Sequence, residues 1–251
     1  AAGSLWKIRA LGGGGAAVAA ALGGRALEAG TASGNERKLL NVVEEMAIAS
    51  GVGIPRVFVM DEERGINALA AGYSPNDAAV VVTRGCVEHL SRDELQGVIA
   101  HEFSHLLNGD MRLNIQLIGL IHGILVIGLV GKGMLRAGVS SSRLSGGALM
   151  LAVLGAFLAA IGCVGVFFGR AIKAAVCRQR EFLADASAVD FTRNPDGLAG
   201  ALKKIGGVRR KSILLTDAAE EFSHMSIGAA VDPPIVFGNL LATHPPLVER
   251  I

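Results

Sequence analysis

The order of apolar and polar positions divides the chain into segments of three kinds. Over residues 35–50, NERKLLNVVEEMAIAS, the apolar positions Leu39, Val42, Val43 and Met46 recur at helical spacing and Gly51 supplies a stop. That pattern predicts an amphipathic helix. Pro55 then leads into RVFVM, a β-rich run ended by DEERG; INALAAGY follows, then the turn SPND and the run AAVVVT. Three short strands separated by turns predict a small antiparallel sheet. Ser91 and Glu94 have the spacing of a capping box and open a further helix. Leu95, Val98, Ile99 and Leu106 form its expected buried face, and Asn108 with Gly109 marks its end.

Two windows have a different character. Residues 113–130, LNIQLIGLIHGILVIGLV, and 144–169, LSGGALMLAVLGAFLAAIGCVGVFFG, contain no charged side chain. At ~1.5 Å per residue the first would span ~27 Å, close to a hydrocarbon core of ~30 Å. Small residues recur at helical spacing, Gly119 with Gly123, Ala152 with Ala156 and Ala160, Gly155 with Ala159. Such faces let two helices approach closely in a bilayer. A transmembrane helical hairpin is therefore expected at about 113–130 and 146–169, with the basic, serine-rich GKGMLRAGVSSSR as its loop. Asn114, Gln116 and His122 keep a buried helical pair in a soluble core as the alternative. The loop carries Lys132, Arg136 and Arg143, while Arg112, Arg170, Lys173, Arg178 and Arg180 lie on the other side, a bias that favours a cytoplasmic body. Residues 11–24, LGGGGAAVAAALGG, are apolar but short and glycine-rich. The segment 1–34 reads as the remnant of a membrane helix or a flexible connection, which leaves 35–251 as the main domain.

Composition sharpens this picture at two points. Hydrophobic residues make up 51% and aromatics 4%, and the net charge is +2. With so small a charge and no basic-aromatic pattern, nucleic acid is excluded as a partner. The cysteines, Cys86, Cys163 and Cys177, are scattered without a C-x-x-C pair. Neither a disulfide framework nor a cysteine-liganded zinc site is expected.

The candidate chemistry lies on the capped helix. His101 and His105 in HEFSH stand four apart and present two imidazoles to a common point, with Glu102 beside them. Two nitrogen ligands, an open coordination position and an adjacent base that can polarise a metal-bound water form the logic of a zinc peptidase. A third protein ligand is required. His122 lies too deep in the apolar window to return to the site, while His89, His224, His244 and many carboxylates remain. A hairpin that crosses and returns brings residues after the second window beside those before the first. Glu181 and Asp185 in REFLADASAVD share a helical face there, which favours Glu181 as ligand and Asp185 as a partner orienting a histidine.

VIAHEFSHLLNGD, REFLADASAVDFT and LLATHPPLVERI together resemble an HtpX-type membrane zinc metalloprotease, a gluzincin related to the CAAX prenyl proteases. The resemblance covers about residues 35–251. It implies a mainly helical, zincin-like α+β fold and one zinc per chain on His101, His105 and Glu181, with Glu102 as base and acid. It also implies that His244 holds the substrate oxyanion and that Arg250 supports the site. Independently, Pro245 and Pro246 make a stiff turn able to fix the His244 imidazole. INALAAG resembles the edge-strand segment in which an asparagine, here Asn67, grips the substrate backbone; Leu69 stands where an aromatic is common. His224 in EEFSHM is a further cleft candidate. The expected activity is hydrolysis of internal peptide bonds in membrane-associated or misfolded proteins, in a multi-pass protein of the bacterial inner membrane with a cytoplasmic catalytic domain. Expected partners are polypeptide substrates and the lipid bilayer; the sequence leaves the oligomeric state open. The alternatives are a CAAX-type prenyl-peptide protease, a zinc-binding membrane scaffold without catalysis, and a soluble periplasmic protease-chaperone.

Overall fold

The computed structural model describes residues 14–72, 74–140, 145–207, 227 and 241–251. They form two units, one drawn from Ala1–Arg112 with Cys177–Ile251 and one from Leu113–Val176. In chain order the elements are α1 Gly14–Ala21, β1 Arg25–Ala26, α2 Gly34–Ser50, β2 Arg56–Met60, β3 Ala68–Ala71, β4 Ala79–Thr83, α3 Arg84–His89, α4 Arg92–Asn108, α5 Asp110–Val139, α6 Gly146–Thr192, α7 Pro195–Gly207 and α8 Leu247–Arg250.

The first unit is built on a sheet of order β1-β2-β4-β3. β1 with β2 and β3 with β4 are antiparallel, but β2 and β4 run parallel, with Val57 opposite Val80. The sheet is thus mixed, where the short strands and turns predicted an antiparallel one. β4, AVVVT, is buried at all five positions and takes an interior place. β3 occupies the edge beyond it, so the chain leaving β2 passes that place and returns in the direction of β2. One face of the sheet carries the main core, in which Leu39, Val42, Val43 and Met46 of α2 and Leu95, Val98, Ile99 and Leu106 of α4 are all buried. The other face is covered by Val18, Ala19 and Leu22 against Phe58, Met60, Leu69 and Val81. Burial on both faces removes the period-2 alternation from the strands.

The glycine- and alanine-rich stretch that suggested a membrane-helix remnant or a connection is, over Gly14–Ala21, a short helix of this second layer. Its small side chains let backbone lie on backbone. A Cβ at Gly15 would stand 2.3 Å from the Ala71 carbonyl oxygen.

Both capped helices form as predicted. Ser33 and Glu36 close a capping box on α2, Ser91 and Glu94 close one on α4, and Gly51 and Gly109 end these helices in the left-handed conformation. α4 also meets α7 at backbone distance, since a Cβ on Gly97 would lie 2.7 Å from Leu198 N.

Glu36 does more than cap. Its buried carboxylate accepts the Ser33 N–H at 2.8 Å and pairs with Arg25 at 2.6 Å, which together hold its pKa at about 2 despite desolvation. A depressed folded pKa stabilises above the unfolded value of ~4.3, and the gain is lost as pH falls from there through 2. Glu36→Gln is expected to cost roughly 1–2 kcal/mol at pH 7 and to flatten the fall of Tm between pH 5 and pH 3. Scanning fluorimetry of the detergent-solubilised protein checks this; an unchanged acid limb would contradict it.

In the second unit α5 continues through Val139, so most of the expected loop is helical. The stretch contains no proline, and its glycines serve packing. A Cβ on Gly131 would lie 2.4 Å from Ala159 N, one on Gly138 2.6 Å from Ala152 N, and one on Gly162 2.3 Å from Gly128 Cα. Gly119 and Gly123, which suggested the contact face on α5, have nothing within 4 Å of such a Cβ. Leu120, Leu129, Phe157, Val164 and Phe168 are exposed. Where the two helices touch, glycines such as Gly131, Gly138 and Gly162 face inward while large apolar side chains face outward, the reverse of a water-soluble helical pair. Gly119–Val139 and Gly146–Thr192 are long and apolar enough to cross a membrane.

Candidate metal centre

α4 stacks His101 and His105 one turn apart, with ring centroids 4.8 Å apart and planes at 84°. Their Nε2 atoms are 3.1 Å apart. From α6, Glu181 places Oε2 3.8 Å from His101 Nε2 and Oε1 3.5 Å from His105 Nε2. The three donor atoms lie within 4.8 Å of one another.

The opposite side of each ring meets an acid. His101 Nδ1 is 2.9 Å from Asp185 Oδ1, close in distance though outside the alignment of a well-formed hydrogen bond. His105 Nδ1 is 2.7 Å from Asp110 Oδ2. Carboxylates accept, so each Nδ1 carries the proton and each Nε2 turns its lone pair towards the other. Two lone pairs at that distance repel unless a proton or a cation lies between them. A four-coordinate zinc, with bonds of ~2.0–2.2 Å, needs ligand atoms roughly 3.3–3.6 Å apart. The two Nε2 atoms at 3.1 Å are close to that spacing, and the Glu181 carboxylate turns a different oxygen to each ring, at 3.8 Å from His101 and 3.5 Å from His105. Two imidazoles and one carboxylate are a donor set suited to catalytic zinc, so the residues fit the ion.

Electrostatics point the same way. Burial pushes His105 down, but Asp110 and Glu181 outweigh it and hold its pKa at about 10, so without a cation His105 keeps a proton. Burial lowers His101 against the opposing pull of Asp185. Burial would raise Glu181, yet His244, His105 and His101 hold it well below the carboxylate range. Glu102 is fully buried, neither oxygen makes a well-aligned hydrogen bond, and burial pushes its pKa up to about 8. A divalent cation beside it would draw it back towards the ionised form.

Arg250, on α8, donates from Nε and Nη2 to Asp185 at 2.8 Å each and from Nη1 to the Ile227 carbonyl at 2.8 Å. Its Nη1 is also 3.0 Å from Glu181 Oε2. His244 Nδ1 lies 3.1 Å from the same oxygen, and Arg178 anchors this segment by donating to the Ala242 carbonyl at 2.8 Å. Asn67 is fully buried at the start of β3, where its Oδ1 accepts the Ala68 N–H at 2.9 Å.

The structure thus brings His101, Glu102, His105, Glu181, Asp185, His244 and Arg250 to one place, with Asn67 on the neighbouring strand. His89 and His122 are outside the metal-binding group, and His224 lies outside the described residues. Asp110 and Arg180 escaped the reading of the sequence. The available signal was an acid directly after the glycine that ends α4.

A family model for peptidase family M48 matches residues 33–251. The chain is 39% identical over 221 residues to a protease HtpX homolog of Thermoanaerobacter pseudethanolicus, covering 85% of this chain and 69% of the relative. A protease HtpX homolog of Dictyoglomus turgidum is 37% identical over 230 residues, covering 85% and 67%. Among solved structures, S. mikatae Ste24p is similar in fold, with a TM-score of 0.55 at 19% identity over 90% of this chain. The chain spans 50% of that protein.

Proposed function

Because this chain belongs to peptidase family M48, a family of metalloproteases, we propose that it is a membrane-bound, zinc-dependent endopeptidase acting on membrane-associated or misfolded proteins. His101, His105 and Glu181 hold one zinc. There the ion would supply Lewis acidity to the scissile carbonyl and would make water easier to deprotonate, its pKa falling towards ~7. Glu102 takes the proton from the attacking water and delivers it to the leaving amine. His244 steadies the carbonyl oxyanion. Asp185, gripped by Arg250, holds the His101 ring. An extended substrate adds to the edge of β3, with Asn67 contacting its backbone.

The observation that carries this reading is the meeting of three ligand atoms within 4.8 Å, beside a fully buried glutamate. The membrane assignment rests on the inverted polarity of the second unit. We place the protein in the bacterial inner membrane, with the catalytic unit on the cytoplasmic side. A prenyl-peptide protease would use the same residues. The 39% identity to an HtpX homolog, against 19% to Ste24p, favours the broader polypeptide substrate class.

One experiment tests location and chemistry together. Membranes carrying the protein are washed with alkaline carbonate, and the pellet is assayed on an unfolded protein with and without a zinc chelator. Activity is expected to remain in the pellet, to fall at least ~100-fold with chelator and to return with zinc. Release into the supernatant would refute the spanning hairpin, and chelator-resistant cleavage would refute the metal mechanism.

A further inference from the structure

We propose that Asp110 and Arg180 are positioning residues that fix His105 as a metal ligand, in parallel with the way Asp185 and Arg250 fix His101. The inference rests on the zinc reading above and extends it to two residues outside the ligand set. Each ligand imidazole is backed at Nδ1 by an aspartate, at 2.9 Å for His101 and 2.7 Å for His105. Each aspartate in turn faces an arginine from another element, through two hydrogen bonds at Asp185 and through an ion pair without well-formed hydrogen-bond alignment at Asp110. Arg250 meets Asp185 at 2.8 Å, and Arg180 Nη1 meets Asp110 Oδ1 at 3.0 Å. The two chains His101–Asp185–Arg250 and His105–Asp110–Arg180 have the same order of groups and the same contact atom on the ring.

Local structure explains how the second chain arises. His105 lies in the last turn of α4, where its carbonyl accepts the Gly109 N–H. Gly109 adopts φ 67°, a conformation that suits glycine, and this reverses the chain so that the next residue returns to the imidazole. That residue, Asp110, opens α5, where the helix dipole also favours its charge. Arg180 immediately precedes Glu181, so one turn of α6 supplies a metal ligand and the clamp on the other ligand's aspartate. The two chains differ in exposure. The Arg250 side chain is 0% exposed and that of Arg180 31%. Water competes for the Arg180 contact, so the aspartate is expected to matter more than its arginine.

The test is zinc affinity, measured on the purified full chain by competition with a chromogenic chelator, with metal-free thermal stability recorded in parallel. Asp110→Asn keeps the shape but lets an amide face Nδ1, and is expected to weaken zinc binding about 10–100-fold. Arg180→Gln is expected to weaken it about 3–10-fold, with Arg180→Lys restoring most of the loss. The double variant Asp110→Asn/Arg180→Gln should bind no more weakly than Asp110→Asn alone, because both act through one ring. An unchanged zinc affinity in Asp110→Asn, or a loss of metal-free stability without a loss of affinity, overturns the proposal. Should Asp110→Asn fail to fold, a wild-type affinity in Arg180→Gln overturns it equally. If Glu181→Ala also keeps wild-type affinity, the zinc reading itself has failed, and the two failures are distinguishable.

Discussion

Glu102→Gln is expected to lower kcat by at least ~10³-fold while leaving zinc in place. The substitution preserves shape but removes the carboxylate proposed to accept the water proton, and an amide has no comparable basicity. His101, His105 and Glu181 remain, so the metal site survives. The environment of Glu102 adds a second, opposite expectation. The side chain is fully buried, lacks a well-aligned hydrogen bond, and is raised by desolvation to about 8. Replacing such a group with a neutral one removes a desolvation penalty, so metal-free Glu102→Gln should melt no lower than the wild type. Loss of activity with retained zinc and unimpaired stability is the signature of a catalytic base. Wild-type proteolysis by the variant would remove Glu102 from the mechanism.

Glu181→Ala is expected to lose both zinc and activity, and for a broader reason. Glu181 faces His101 and His105 at 3.8 and 3.5 Å and also meets His244 at 3.1 Å and Arg250 at 3.0 Å. Deleting it removes one of the three proposed ligands and, among the described residues, leaves the fully buried Arg250 side chain paired with Asp185. Zinc affinity should fall by more than the ~10–100-fold that marks loss of an outer partner. Proteolysis should fall with zinc occupancy, and added zinc should restore it only in part. Glu181→Asp, with its shorter reach, should lie between the wild type and alanine.

Much of the scaffold around this site could be read from local pattern. The helices α2 and α4 carry their own caps and stops, and the apolar spacing selects the buried faces seen in the fold. Glu181 could be placed near His101 and His105 because a chain that leaves in one apolar window and returns in another brings the residues after the second back beside those before the first. What escaped depends on partners distant in sequence. The two residues of β1, Arg25–Ala26, have no period of their own and exist through pairing with β2. The small residues of α1 resemble a membrane remnant until the sheet against which they pack is known. Parallel pairing of β2 with β4 follows from β3 taking the edge beyond β4, and no turn residue records it. Glycines 131 and 138 read as loop residues because their contacts lie on another helix. Asp110 was hidden in the same way. Its contact with His105 appears once the left-handed Gly109 turns it back onto the ring.

The proposed centre holds one zinc on His101, His105 and Glu181 with Glu102 beside it as base. Metal analysis of the purified wild type, Glu102→Gln and Glu181→Ala, prepared side by side without added zinc, tests it most directly. About one zinc per chain is expected in the first two and less than ~0.1 in the third. A full zinc atom in Glu181→Ala, or its absence from Glu102→Gln, would contradict it.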